Sequence, residues 1–199
     1  MKNNAKSGKL FVLSAASGAG KTTLSNETVK RLQKEDYKIS KVITYTTRPP
    51  RPGETDKKDY FFVSHKEFEQ KFKDNFFLET TKYHGNNYGS PAYILDLIKL
   101  GESFILVTDL EGSKRIKNIY KDAIFIWINP PSIKELKIRL IARKDLNKKQ
   151  IEDRLEMAQK EMEEAAKSRN QEQLFDYNVT NEIFENTVQE LVKLIKNKI

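Results

Sequence analysis

Short apolar runs alternate with stretches of helical periodicity along most of the chain. Leu10–Leu13, Ile39–Ile43, Phe104–Val107, Ile124–Ile128 and Tyr177–Thr180 read as strands. Runs such as Phe104-Ile105-Leu106-Val107 are apolar throughout, the pattern of strands covered on both faces. Between them, Leu24, Thr28 and Leu32 fall on one helical face, and Ile151, Leu155, Ala158, Met162 and Ala165 form a longer stripe. Ser64 with Glu67, and Ser132 with Glu135, have the spacing of capping boxes and predict two helix starts. Strand and helix in alternation predict an α/β fold with a mainly parallel sheet flanked by helices. The rhythm breaks at Arg48-Pro49-Pro50-Arg51-Pro52-Gly53, which must be extended or turning. The aromatic-rich stretch from there to about Tyr93 reads as an inserted lobe.

Composition narrows the chemistry. A chain of 199 residues with 38% hydrophobic content suits one compact domain with a real core. It has no cysteine, which excludes a disulfide scaffold and a thiolate zinc site, and only two histidines, His65 and His84, which argues against a histidine-built metal centre. The formal net charge of +8 favours anionic partners, although dispersed lysines also serve solubility. The basic residues form no recognition module, so nucleic acid is not the expected partner. Lys2, Lys6 and Lys9 before Leu10–Leu13 faintly mimic a secretory signal, but the apolar run is too short; the expectation is a cytoplasmic protein with no membrane partner.

Ser17-Gly18-Ala19-Gly20-Lys21-Thr22-Thr23 follows a predicted strand and opens a predicted helix, the context of a phosphate-binding loop. Glycines let the backbone curl so that N–H groups face phosphate oxygens, and the helix start adds positive potential. Lys21 is placed to bridge the transferred phosphate, and the Thr22 hydroxyl to hold Mg²⁺. Ala15 stands where the first glycine of the full pattern belongs; alanine serves there if its φ is negative. Farther on, Arg48 and Arg51 lie three apart in a proline-stiffened segment, so both guanidiniums can address one phosphate, unless the segment is an ordinary solvated loop.

The ordered set Thr46-Thr47-Arg48-Pro49-Pro50-Arg51-Pro52-Gly53-Glu54, Asp59-Tyr60, Phe77-Leu78-Glu79 and Gly85-Asn86-Asn87-Tyr88-Gly89-Ser90 resembles guanylate kinase. The likeness continues through Asn129-Pro130-Pro131-Ser132 and Arg139, Arg143 and Arg154 to Asn181, nearly the whole chain. The resemblance implies a P-loop three-layer α/β fold with a small mixed GMP-binding lobe and a helical lid. It divides the chain into a core (1–41, 99–133 and 157–199), a GMP lobe (42–98) and a lid (134–156). It implies ATP and GMP as substrates, Mg²⁺ as cofactor, and a monomer or homodimer. ATP would contact Ala15, Ala16, Ser17, Gly18, Ala19, Gly20, Lys21, Thr22, Thr23 and Asn181. GMP would contact Thr44, Arg48, Arg51, Tyr60, Glu79, Tyr88, Gly89, Ser90 and Asp109. Lys21, Arg48, Arg139, Arg143 and Arg154 would carry the chemistry, with Thr22 and, through water, Asp109 holding the metal.

Taken singly, several of these residues have plainer readings: Tyr60 as core, Glu79 as an ordinary carboxylate, Arg139 and Arg143 as one solvated helix face. The chain also departs from the family's pattern. Thr44 replaces a serine, Val107-Thr108-Asp109 keeps only the second of two expected acidic residues, and Lys144-Asp145-Leu146-Asn147 replaces a glycine-bearing lid turn. A binding module without catalysis is therefore the alternative to a working kinase, and a P-loop kinase for another phosphorylated acceptor a further one. Lys21 and the arginines argue against the first, Glu79 with Ser90 against the second.

Overall fold

The computed structural model describes residues 7–83, 85–142, 147–171 and 173–199. His84, Arg143 and the Lys144–Leu146 part of the departing lid turn lie outside the described residues.

The five predicted strands become one parallel sheet. These are β1 (Leu10–Ala15), β2 (Ile39–Lys41), β7 (Ser103–Thr108), β8 (Ile124–Asn129) and β9 (Tyr177–Thr180), in the order β2-β7-β1-β8-β9. β2 is shorter than its apolar run: Val42 still donates to the Ile105 carbonyl, after which the chain leaves for a second sheet. Alternate residues of β1 feed two cores. Phe11 and Leu13 meet Leu24 and Leu32 of α1 (Lys21–Lys34) and Val188, Leu191 and Ile195 of α7 (Phe184–Lys196). On the other face, Leu10 and Val12 share a core with α3 (Ile94–Lys99), α4 (Leu110–Ile119), α5 (Ile133–Ala142) and α6 (Lys148–Gln171). Both faces are covered, which explains strands that are apolar throughout. The helical stripe is confirmed on α6, where Ala158 and Ala165 are buried and Ile151, Leu155 and Met162 pack beside them.

The inserted segment forms a second, mixed sheet: β3 (Tyr45–Thr46), β4 (Phe61–Phe62), β5 (Phe77–Tyr83) and β6 (Asn86–Pro91), ordered β4-β3-β6-β5. β3 pairs parallel to β4 and antiparallel to β6. Such short strands need a side-chain core of their own, and aromatics supply it. The Tyr45 and Phe61 rings stack at 4.5 Å, and Phe77 stacks on Phe68 of α2 (His65–Lys73) at 4.6 Å. The Ser64–Glu67 capping box forms in full, and the Ser132 hydroxyl accepts from the Glu135 N–H at 3.1 Å. α3 packs into the core of the parallel sheet, and α6 runs unbroken across residues 156 and 157. Among the described residues no helix is long and apolar enough to cross a membrane.

Candidate active site

β1 delivers the chain to the carboxyl edge of the parallel sheet, where open α/β sheets bind ligands. Residues 17–20 curl there before α1 begins. Gly18 and Gly20 have φ of 87° and 96°, backbone that L side chains rarely adopt. A Cβ on Gly18 would also lie 2.9 Å from the end of the Leu140 side chain of α5, which would have to shift to make room. Gly20 is the N-cap of α1 and has no side chain with which to cap it, leaving the first helical N–H groups for an anion. Positive φ among described non-glycine residues is confined to Asp36, Lys57 and Asn75, so alanine at position 15 meets the condition set for it.

The loop forms one wall of a cleft of about 500 Å³. Ser17, Gly18, Ala19, Gly20, Lys21, Thr22 and Thr23 line it from the loop, and Thr44, Arg51, Tyr60, Glu79, Tyr88, Gly89 and Ser90 from the second sheet. Asp109 lines it from the end of β7, Arg139 from α5 and Arg154 from α6. Expected site residues far apart in sequence thus converge on one cavity. Others do not line it. Ala15 and Ala16 are buried behind the loop, where their carbonyls accept from the Lys21 ammonium and the Ala19 N–H. Asn181 is also buried behind it; its side-chain amide donates to the Ala19 carbonyl at 2.9 Å, and its backbone carbonyl accepts from Arg139 at 3.0 Å. Asn181 therefore braces the loop and the α5 arginine from the rear.

Arg48 is likewise not on the cleft wall. Its guanidinium donates to Glu54 at 2.8 Å and to the Pro49 carbonyl at 2.7 Å, and lies 5.4 Å from the Tyr60 ring centre. The other Glu54 oxygen accepts from the Arg51 N–H at 2.7 Å. One carboxylate thus shapes the proline-rich turn and holds a guanidinium beside it. The preceding threonines build the same turn: Thr46 Oγ1 accepts from the Arg48 N–H, and Thr47 Oγ1 from the Asn87 N–H.

Across from the loop, Glu79 is buried and accepts from the Ser90 hydroxyl at 2.7 Å. Burial pushes its carboxyl above the ordinary range, an effect the Ser90 hydroxyl opposes and the Asp109 charge reinforces. Gly89 leaves room for the Phe77 ring, which would stand 2.7 Å from a Cβ there. Asp109 caps α4 by accepting from the Gly112 N–H at 2.7 Å through one oxygen. Burial pushes the Lys21 ammonium down from its ordinary value, while Glu161 and Asp109 hold it up.

Thr81, Tyr83, Val107, Thr108 and Glu161 also line the cleft, though no site role was expected for them. Glu161 accepts from the Ser17 N–H at 3.2 Å, and burial raises its carboxyl against the pull of Lys21. It lies seven residues from Arg154 on α6, two turns along the same face. That spacing was the available signal, but in the sequence Glu161 is one acid among many on a charged helix.

A parallel α/β sheet, a glycine-curled loop opening a helix with its lysine in the cleft, and a facing polar lobe define a nucleotide-binding protein of the P-loop class. The sequence model of the guanylate kinase family matches residues 7–198. The guanylate kinase of Bdellovibrio bacteriovorus is 36% identical over 190 residues, covering 95% of this chain and 97% of the relative. That of Coxiella burnetii is 38% identical over 187 residues, covering 94% and 85%. The crystal structure of guanylate kinase from Anaplasma phagocytophilum matches with a TM-score of 0.77 at 26% identity, covering 97% of this chain and 87% of that one. The chain belongs to the guanylate kinase family.

Proposed function

We propose that the chain transfers the terminal phosphoryl group of ATP to GMP, giving ADP and GDP. What carries this reading is a single cleft with a phosphate loop on one wall and a buried, hydrogen-bonded carboxylate on the other. The two nucleotides enter from opposite ends and meet at their phosphates. ATP lays its phosphates on the Ser17–Thr22 amides and the Lys21 ammonium. Arg51, Tyr60 and Tyr88 take the GMP phosphate, joined by Arg48, which Glu54 holds at the turn beside them. Glu79 accepts from guanine N1–H and the N2 amino group, with Ser90 fixing its other side. Adenine offers no such donor pair and would leave a buried carboxylate unpaired, a loss of roughly 10²–10⁴ in selectivity.

No general base is needed. The second pKa of a phosphate monoester is about 6, so the acceptor oxygen is already anionic at neutral pH. That oxygen attacks the γ-phosphorus while the bond to the β–γ bridging oxygen breaks and ADP leaves with the electron pair. Lys21, Arg139 and Arg154 spread positive charge over the transferring group, and the resemblance assigns Arg143 the same role. Magnesium arriving with the triphosphate supplies further charge neutralisation. The oxygen donors of Thr22 and, through water, Asp109 suit such an ion, which takes few protein ligands and keeps most of its waters.

A coupled assay of ADP release with ATP and Mg²⁺, offered GMP, AMP, UMP and CMP in turn, tests the proposal. Turnover with GMP far above the others is expected. GMP binding without turnover would leave the binding-module alternative standing, and equal turnover with all four would remove Glu79 from its assigned role.

A further inference from the structure

Glu79 is supported from outside the cleft. Arg115, an exposed residue of α4, donates to the Thr80 carbonyl and to the Thr81 hydroxyl, both at 2.7 Å. Thr81 lies two residues beyond Glu79 on β5, so the two side chains share a face, and both line the cleft. The Thr81 hydroxyl donates onward to Glu79 Oε2 at 3.4 Å, while Ser90 donates to Oε1 at 2.7 Å. Each carboxylate oxygen therefore has its own hydroxyl donor. A hydroxyl has one proton, and a guanidinium only donates. Arg115 must therefore occupy a lone pair of Thr81, leaving its proton for Glu79. At 3.4 Å the second step is long for such a bond, so Thr81 steers the carboxylate rather than clamping it. α4 packs in the layer beside the parallel sheet, whereas β5 belongs to the second sheet. The chain of donors thus crosses between the two parts of the molecule.

We propose that Arg115, acting through Thr81, is a positioning residue that sets the rotation of the Glu79 carboxylate and with it the preference for a purine bearing donors at both N1 and N2. The inference rests on the reading of Glu79 as the guanine acceptor. Accepting two parallel donors requires both carboxylate oxygens in the plane of the base, whereas one donor tolerates a range of rotations. Inosine monophosphate, which keeps N1–H and lacks the 2-amino group, is therefore the diagnostic competitor.

The test compares kcat and KM for GMP, inosine monophosphate and ATP in Thr81→Val, Thr81→Ser, Arg115→Met and the double variant Thr81→Val with Arg115→Met. Thr81→Val and Arg115→Met should each raise KM for GMP roughly fivefold, the scale of one modest hydrogen bond. Each should leave KM for ATP alone and narrow the preference for GMP over inosine monophosphate. Thr81→Ser should restore that preference, and the double variant should be no worse than either single one. An unchanged preference, or equal losses for GMP and ATP, would reduce Arg115 to a tie between α4 and β5 and overturn the proposal. If Arg115→Met fails to fold, the near-isosteric Thr81→Val carries the same test. Glu79→Gln in the same assay separates the levels. Should it too leave the preference unchanged, the reading of Glu79 falls along with this one; should it alone collapse the preference, only the positioning role is lost.

Discussion

The two walls of the cleft are built in opposite ways. The phosphate loop is contiguous, made mostly of backbone, and held in place by strand β1, helix α1 and the glycine angles at positions 18 and 20. The facing wall gathers side chains from two strands and two loops between residues 44 and 90, over a small aromatic core. On the proposed reading, the first wall recognises what all triphosphates share, and the second must distinguish one base from another. Backbone suits the first task because N–H groups do not vary with sequence. Side chains suit the second because a carboxylate and a hydroxyl can be matched to particular donors.

The sharpest way to break this contrast is to remove the one side chain on which the backbone wall depends. Lys21→Met should lower kcat about 10³-fold or more, because a preorganised charge at the transferring group is lost from a largely buried site. GMP affinity measured by calorimetry should stay near that of the parent protein. Parallel loss of GMP binding would mean that the two walls are not independent.

Glu79→Gln should act on the other wall alone. An amide presents a donor where guanine also donates, so kcat/KM for GMP should fall about 10²-fold and the gap to AMP should narrow. Stability should move the other way. Burial raises the Glu79 carboxyl, so the folded protein binds that proton more tightly than the unfolded chain, whose carboxyl titrates near about 4.3. The charged form thus costs stability at neutral pH, a cost relieved as pH falls through the raised value towards the unfolded one. Glu79→Gln removes it, and the melting temperature at pH 7 should hold or rise. A clear drop in melting temperature would show that the carboxylate serves the fold more than the base.

Glu54→Gln probes how far the second wall is preorganised. It weakens the bond to Arg48 while keeping an acceptor for the Arg51 N–H. KM for GMP should rise about tenfold, as for loss of one charge-assisted bond, with KM for ATP unchanged. An effect below twofold would mean that Arg48 finds its phosphate without help.

The same contrast explains what could be read from the sequence. The three central strands were legible because both faces of the sheet are covered there, so β1, β7 and β8 are apolar almost throughout. The loop was legible because glycine, lysine and threonine sit side by side. Apart from the Arg48 and Arg51 pair, the second wall was not legible from pattern. Tyr60, Glu79 and Ser90 have ordinary neighbours, and only the resemblance of the ordered set singled them out. Glu54 stood inside that set, yet its hold on Arg48 emerges only in the folded turn. Glu161 offered only its spacing from Arg154 among many helical acids, and Thr81 and Arg115 carried no signal, because Glu161 meets Ser17 144 residues away and Arg115 meets Thr81 34 residues away. Asn181 was singled out by the resemblance alone, and its contact with the loop, a side-chain amide donating to the Ala19 carbonyl, was not readable from the sequence.

The smallest expected effect falls where the walls meet. Val107 lines the cleft at the end of β7, where the family's pattern has a second acidic residue, and Asp109 already spends one oxygen capping α4. Val107→Asp would add a carboxylate beside the proposed metal site, and groups that orient a metal's water shell alter affinity by roughly 10–100-fold. Here the gain should be nearer twofold to tenfold in the Mg²⁺ concentration giving half-maximal rate, because the new charge also faces Asp109 and Glu161 across the same cavity. Lys21 would offset part of that repulsion. The substitution also removes a half-buried isopropyl group, so stability should fall by about 1 kcal/mol. A Mg²⁺ titration at fixed ATP and GMP reads the first effect and thermal melting the second. If the Mg²⁺ dependence stays put while stability drops, Asp109 alone suffices at that edge, and valine at position 107 serves packing.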